Sequence, residues 1–143
     1  MTEFKAYGTV AEIEEVVRRF ESCEFRPEKF FHARHLTVAA WYFLQFDEKT
    51  ACERMRAGLV KFIRYHGKNG YHATITEFWL RLAKEALCVA ERDDDLVAHI
   101  NQLVAHLNDK SLIYAHYSRE RVDSREAKAM WVEPDLKPLP GSE

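Results

Sequence analysis

The sequence predicts an all-α fold, a single bundle of about five main helices closed by an extended, proline-containing C-terminal strap. Three observations carry that prediction. Gly and Pro are scarce, five and four in 143 residues, which disfavours turn-rich β architectures and favours few, long elements. Apolar residues recur at helical spacing along most of the chain. Three Thr-x-x-Glu segments, beginning at Thr9, Thr50 and Thr74, have the form of a capping box, in which a hydroxyl and a carboxylate satisfy the first amides of a helix.

The elements follow in order. Behind Thr9, a first helix carries Val10, Ile13, Val16, Val17 and Phe20 on one stripe. Pro27 suits the first turn of a second helix over 28–46. That helix has Phe31, Val38, Ala39, Tyr42, Phe43 and Phe46 on its apolar face and Arg34, Thr37 and Gln45 opposite. Thr50 opens a third helix that buries Ala51, Met55, Leu59, Phe62 and Ile63 and that Gly67 closes. Thr74 opens a fourth, running to about Arg92 and burying Trp79, Leu82, Ala86 and Ala90. Asp93, Asp94 and Asp95 cap a fifth that ends near Asn108, and short helical pieces follow around 112–117 and 125–131. Pro134, Pro138 and Pro140 then push their predecessors out of the helical region, so residues 131–143 form an extended tail. Trp131, Leu136 and Leu139 are expected to dock it on the bundle.

Composition narrows the function classes. The length suits one domain, residues 1–143, with one core, and 47% hydrophobic residues can fill it. A net charge of −2 argues against nucleic acid as a partner, and the basic outer face of the third helix, Arg54, Lys61, Arg64 and Lys68, reads as solvated. The longest apolar run, 38–44, is too short to span a bilayer, and with no leader pattern the expected location is cytoplasmic. Cys23, Cys52 and Cys88 form no Cys-x-x-Cys pair and read as reduced, mostly core thiols.

The seven histidines carry the functional argument. His32 and His35 are an i, i+3 pair on the second helix, so their rings can approach one point. His66 extends the inward stripe of the third helix, and His72 extends that of the fourth backwards. A shared pocket lined by all four would suit zinc or iron. His32, His35 and His72 are then the first ligands, with His66 as a fourth ligand or an adjacent base and Tyr71 and Thr76 beside them as ligand-binding groups. Glu28 lies on the His32 side and reads either as a ligand or as an ordinary first-turn acid. The bland alternative is four structural histidines. Against it stands the cost of burying unpartnered imidazoles, about 1–3 kcal/mol each. His99 and His106 fall at the margin of the fifth helix's apolar face and read as solvated or boundary residues, while His116 is left open.

Several segments together carry a resemblance: Phe31-His32-x-Arg34-His35-Leu36 with Ala40-Trp41, His66-Gly67, Tyr71-His72-x-Thr74-x-Thr76-x-x-Trp79, and Trp131-Val132-x-Pro134-Asp135-Leu136-x-Pro138-Leu139. In these the chain resembles a group of small uncharacterised bacterial all-helical proteins. Ala73 stands where those proteins carry an acid after Tyr-His. The resemblance implies a shared helical fold and brings no activity with it. Two functions are therefore expected from the residues. One is a metal-binding helical protein, with metal-activated chemistry on a small molecule if it is an enzyme. The other is a metal-free module whose polar pocket holds a small ligand or a partner helix.

Overall fold

The computed structural model describes residues 4–89 and 95–140. Helices, α and 3₁₀ together, hold 69% of the described residues, and no strand occurs among them. The elements are α1 (Val10–Glu21), a 3₁₀ turn (Pro27–Lys29), α2 (His32–Gln45), α3 (Glu48–Tyr65), α4 (Ala73–Val89), α5 (Leu96–Leu107), a 3₁₀ segment (Lys110–Ala115), α6 (Arg119–Val122) and α7 (Arg125–Ala129).

Of the three predicted capping boxes, the one at Thr9 keeps its threonine as cap while its carboxylate reaches one residue beyond it. Thr9 Oγ1 accepts the Glu12 amide at 3.2 Å, and the Glu12 carboxylate takes the Gly8 amide at 3.1 Å. The other two give way to better caps a few residues upstream. Asp47 caps α3, its Oδ1 accepting the Thr50 amide at 2.7 Å. At α4 the cap is His72, whose Nδ1 accepts the Ile75 amide at 3.1 Å and whose carbonyl accepts that of Thr76. Each helix thus starts two or three residues earlier than predicted, its first-turn amide taken by a carboxylate or an imidazole, and at α4 the Thr74 hydroxyl is released to the strap. Asp95 caps α5 as expected; Asp93, Asp94 and the predicted end of the fourth helix near Arg92 lie outside the described residues, as does Ala90.

Two helices end in the same device. At α3, Lys68 donates to the Ile63 carbonyl and Gly67 to that of Arg64, with Gly67 left-handed at φ 68°. This is the Schellman arrangement. At the end of α1, Cys23 takes glycine's place at φ 59°, and Glu24 donates back to Arg19. Its side chain is buried, whereas Cys52 is half-buried and Cys88 exposed, so only one of the three thiols is a core residue.

The expected second helix is two elements. Pro27 starts a short 3₁₀ turn, the chain breaks at Phe30 and Phe31, and α2 begins at His32. Glu28 is therefore exposed on the 3₁₀ turn. Nor is α2 two-faced. It is the central helix, packing against α1, α3, α4 and α5, and Ala33, Leu36, Thr37, Val38, Ala39, Ala40 and Tyr42 are all buried. Thr37, expected on a polar face, is fully buried because its hydroxyl donates to the Ala33 carbonyl at 2.8 Å and meets Tyr7 Oη at 2.9 Å.

Small residues set the spacing of the neighbours. A methyl group on Gly58 of α3 would lie 2.6 Å from Phe20 Cε2 and 2.8 Å from Cζ. Phe20 is 1% exposed and stacks on Phe30 at 4.8 Å, so its ring has no room to retreat. Gly58→Ala is expected to lower stability by about 1–3 kcal/mol through overpacking, reversing the helix-propensity gain of up to about 1 kcal/mol. A rise in the urea midpoint would show that α3 can lift off Phe20.

The strap docks through Leu139 and, half-buried, Trp131 as expected, but Val132 takes the place of Leu136. Val132 and Leu139 are buried at 4% and 5% exposure, whereas Leu136 is 59% exposed. Trp131 is half-buried under the Arg81 guanidinium, 3.9 Å away. Polar anchors fix the remainder. Thr74 Oγ1 donates to the Met130 carbonyl and accepts the Val132 amide, Tyr117 Oη donates to the Val132 carbonyl at 2.6 Å, and Asp135 takes the Ser118 amide and hydroxyl. His116, 8% exposed, meets the Lys137 and Pro138 carbonyls through Nδ1 at 3.0 and 3.1 Å. A chain rich in proline has few amides to offer, so its carbonyls are the natural handles.

Candidate functional site

A cleft of about 590 Å³ opens between α2, α3, α4 and the 3₁₀ segment 110–115. Its volume lies in the range of small-molecule sites. The α3 wall is apolar, formed by Met55, Leu59 and Ile63, and Leu36, Ala39, Ile75, Trp79 and Leu80 continue it on α2 and α4. Polar groups enter from three directions: His32 and His35 from α2, Tyr71, His72 and Thr76 from the start of α4, and Lys110, Ser111 and Tyr114 from the 3₁₀ segment.

Five of the six site residues expected from sequence thus line one cleft: His32, His35, Tyr71, His72 and Thr76. His66 does not line it. As the C-terminal cap of α3 it packs its ring on Phe62 at 4.6 Å, with Nε2 buried and lacking a hydrogen-bond partner. The projected stripe ended a turn too soon for the imidazole to reach the cleft. The Schellman turn redirects the chain there, and Ile63 takes the wall position instead.

The three remaining imidazoles differ in what their nitrogens can still do. His72 is committed. Its Nε2 lies 2.7 Å from the Val122 carbonyl and its Nδ1 takes the Ile75 amide, which assigns the Nε2–H tautomer and leaves no free lone pair for a ligand. His32 Nε2 lies 3.2 Å from the Leu107 carbonyl, the C-terminal end of α5, and its ring stands edge-on to Trp79 at 4.3 Å. The carbonyl assigns the proton to Nε2, so Nδ1 is an acceptor. Burial pushes the His32 pKa below its usual value, with Lys110 adding to the shift and the Leu107 carbonyl and Asp109 opposing it. His35 stacks on Phe30 at 4.0 Å. Burial drives its pKa down to about 4, helped by the neighbouring His32 and opposed by the Phe30 backbone. Both rings are therefore neutral at pH 7, the form that suits an apolar wall. Burial raises the Tyr71 phenol, with Thr76 pulling the other way.

Among the described residues, no three His, Cys, Asp or Glu side chains are grouped so as to hold a metal ion. The engagement of both His72 nitrogens is a chemical reason for that within the cleft. Thr74 and Thr76 also settle into structural contacts, Thr74 with the strap and Thr76 through its hydroxyl on the His72 carbonyl at 2.8 Å. His99, expected at a boundary, is 7% exposed with its Nε2 unpartnered, whereas His106 is exposed. His99 is buried because α5 packs on α1, α2 and α4 at once, which widens its inward face.

Lys110, Ser111 and Tyr114 were not legible as site residues. They reach the cleft from a connection 75 to 82 residues away from His32 and His35 in sequence, and no periodicity marks a 3₁₀ segment of six residues. No helix of the described residues is long and apolar enough to cross a membrane. Comparisons with protein-family models, with curated proteins and with solved structures give no match to this chain.

Proposed function

We propose that this protein is a small-molecule-binding module whose ligand enters the cleft between α2, α3, α4 and the 110–115 segment. The observation that carries the reading is the cleft itself: about 590 Å³ of mostly apolar wall with a few convergent polar groups, the usual make-up of a ligand site. Two neutral imidazoles supply hydrogen-bonding capacity there without the cost of a buried charge. Trp79 in the wall offers an aromatic face and an intrinsic fluorescent reporter. A zinc or iron site is the competing reading. With both His72 nitrogens engaged, it would rest on His32 and His35 and on ligands from solvent or substrate.

The test is titration with N-phenyl-1-naphthylamine, a neutral apolar fluorophore. Saturable one-to-one binding with a micromolar Kd, about −8 kcal/mol, is expected, together with quenching of Trp79. Ile63→Trp, which fills the cleft from its half-buried wall position, should weaken binding at least tenfold with an unchanged circular dichroism spectrum. Binding indifferent to this substitution, or none at all in the wild type, would overturn the proposal. Stoichiometric uptake of zinc that disappears in both His32→Ala and His35→Ala would make the metal reading the better one.

A further inference from the structure

Given that the cleft binds a small molecule, its charge pattern says which kind. Among the described residues no carboxylate lines it, and Lys110 is the one charged side chain that does. Lys110 is exposed at the rim and forms no ion pair among the described residues. Its neighbour in sequence, Asp109, does not line the cleft; the Ser111 amide at 2.9 Å and the Ser111 hydroxyl at 2.7 Å both donate to its Oδ1, turning that ionised carboxylate into its own turn. Tyr114 brings a hydroxyl to the cleft from the same segment. The opposite walls, from Met55 to Ile63 and from Ile75 to Leu80, offer a ligand nothing but hydrocarbon and the Trp79 ring, apart from Thr76, whose hydroxyl already serves the His72 carbonyl.

From this asymmetry we infer that the ligand is an amphipathic monoanion, a carboxylic acid on an apolar body, with its head at Lys110 and its tail between α3 and α4. A cation at the mouth of an apolar slot orients such a molecule in one direction, since an unpaired ammonium favours the anion while the hydrocarbon wall rejects it. The inference rests on the binding reading above and adds the head group to it. Fatty and aromatic acids share this chemistry, and length against flatness separates them.

The experiment uses compounds that share a tail and differ in head group, competing with N-phenyl-1-naphthylamine in the intact protein: decanoate, decanol and decylammonium, then 1-naphthoate and 1-naphthol. The acid should bind on the order of tenfold more tightly than the alcohol, a gain of about 1.4 kcal/mol, and the ammonium should be weakest. In Lys110→Gln the acid and alcohol should become nearly equal, and in Lys110→Glu the order of decanoate and decylammonium should invert. Lys110 is exposed, so neither variant disturbs the core. A preference for the decyl series identifies a fatty acid, and one for the naphthyl series an aromatic acid. Equal binding of acid and alcohol in the wild type, or an acid preference that persists in Lys110→Glu, overturns the head-group inference and leaves the cleft as an apolar binding site. Failure of every probe to displace a fluorophore that Ile63→Trp does weaken overturns the head-group inference alone, whereas a fluorophore that does not bind the cleft removes the reading on which it rests.

Discussion

Removal of residues 131–143 is expected to lower the melting temperature by about 10 °C or more. Val132 and Leu139 are buried to within a few per cent, and each such side chain contributes roughly 1.5–3 kcal/mol. Their loss also strands a hydroxyl. Tyr117 is fully buried and loses the Val132 carbonyl, at about 1–3 kcal/mol for an unsatisfied group, while Thr74 loses the Val132 amide and keeps the Met130 carbonyl. A total near 5 kcal/mol corresponds to roughly 10–20 °C for a chain of this size. Thr74→Val in the full-length protein guards against a truncation that simply fails to fold, and it should cost a few degrees by itself. A melting point unmoved by truncation would mean that the strap is a free peptide and not part of the core.

A second large effect is expected with pH. His35 has a pKa of about 4 against an ordinary 6.5, so between those values the unfolded chain binds a proton that the native protein refuses. Stability therefore falls as pH falls through this window. Above it both states carry neutral imidazole and the term is constant; below about pH 4 both are protonated and the loss is complete. The shift corresponds to about 2 kcal/mol lost by pH 5 and about 3 kcal/mol by pH 4. His32 is displaced in the same direction by its own burial and steepens the decline. Asp47, Asp109 and Asp135, held low by hydrogen bonds from Thr50, Ser111 and Ser118, add their losses mainly at more acid pH. Urea unfolding at pH 7, 5.5 and 4.5 isolates the histidine contribution by comparison with His35→Gln. The variant should be less dependent on pH across this range, and parallel curves for the two proteins would exclude His35 as the source.

How far each feature could be read depends on the range of the interaction that produces it. Local signals were legible. Thr9 and Asp95 as caps, Gly67 as a left-handed terminator and the stripes of α1 and α3 follow from contacts within one or two turns. His32, His35 and His72 at one cleft also followed, because short connections force α2, α3 and α4 to be neighbours. Choices between local alternatives were not legible. Asp47 displaced Thr50, and His72 displaced Thr74, because several residues near each helix start can act as cap, each defining a different first turn, and the path of the incoming chain selects one. Only when His72 became a cap bonded to Val122, 50 residues away, did its role change from an open ring to an anchored one.

By itself, then, the sequence determined that this chain is helical, how two of its helices are terminated or capped (Gly67 and Asp95), and that three histidines would gather at one cleft. These outcomes depend on backbone capping and on apolar periodicity, both encoded within a few residues. The tertiary structure alone decided which side chains remain available. It placed α2 at the centre and so buried Thr37 and His99; it turned His66 out of the cleft at the Schellman bend; and it brought Lys110 to the rim. Each of these is set by packing between segments far apart in the chain, where a displacement of one helical turn exchanges a buried residue for an exposed one and no local pattern records the choice.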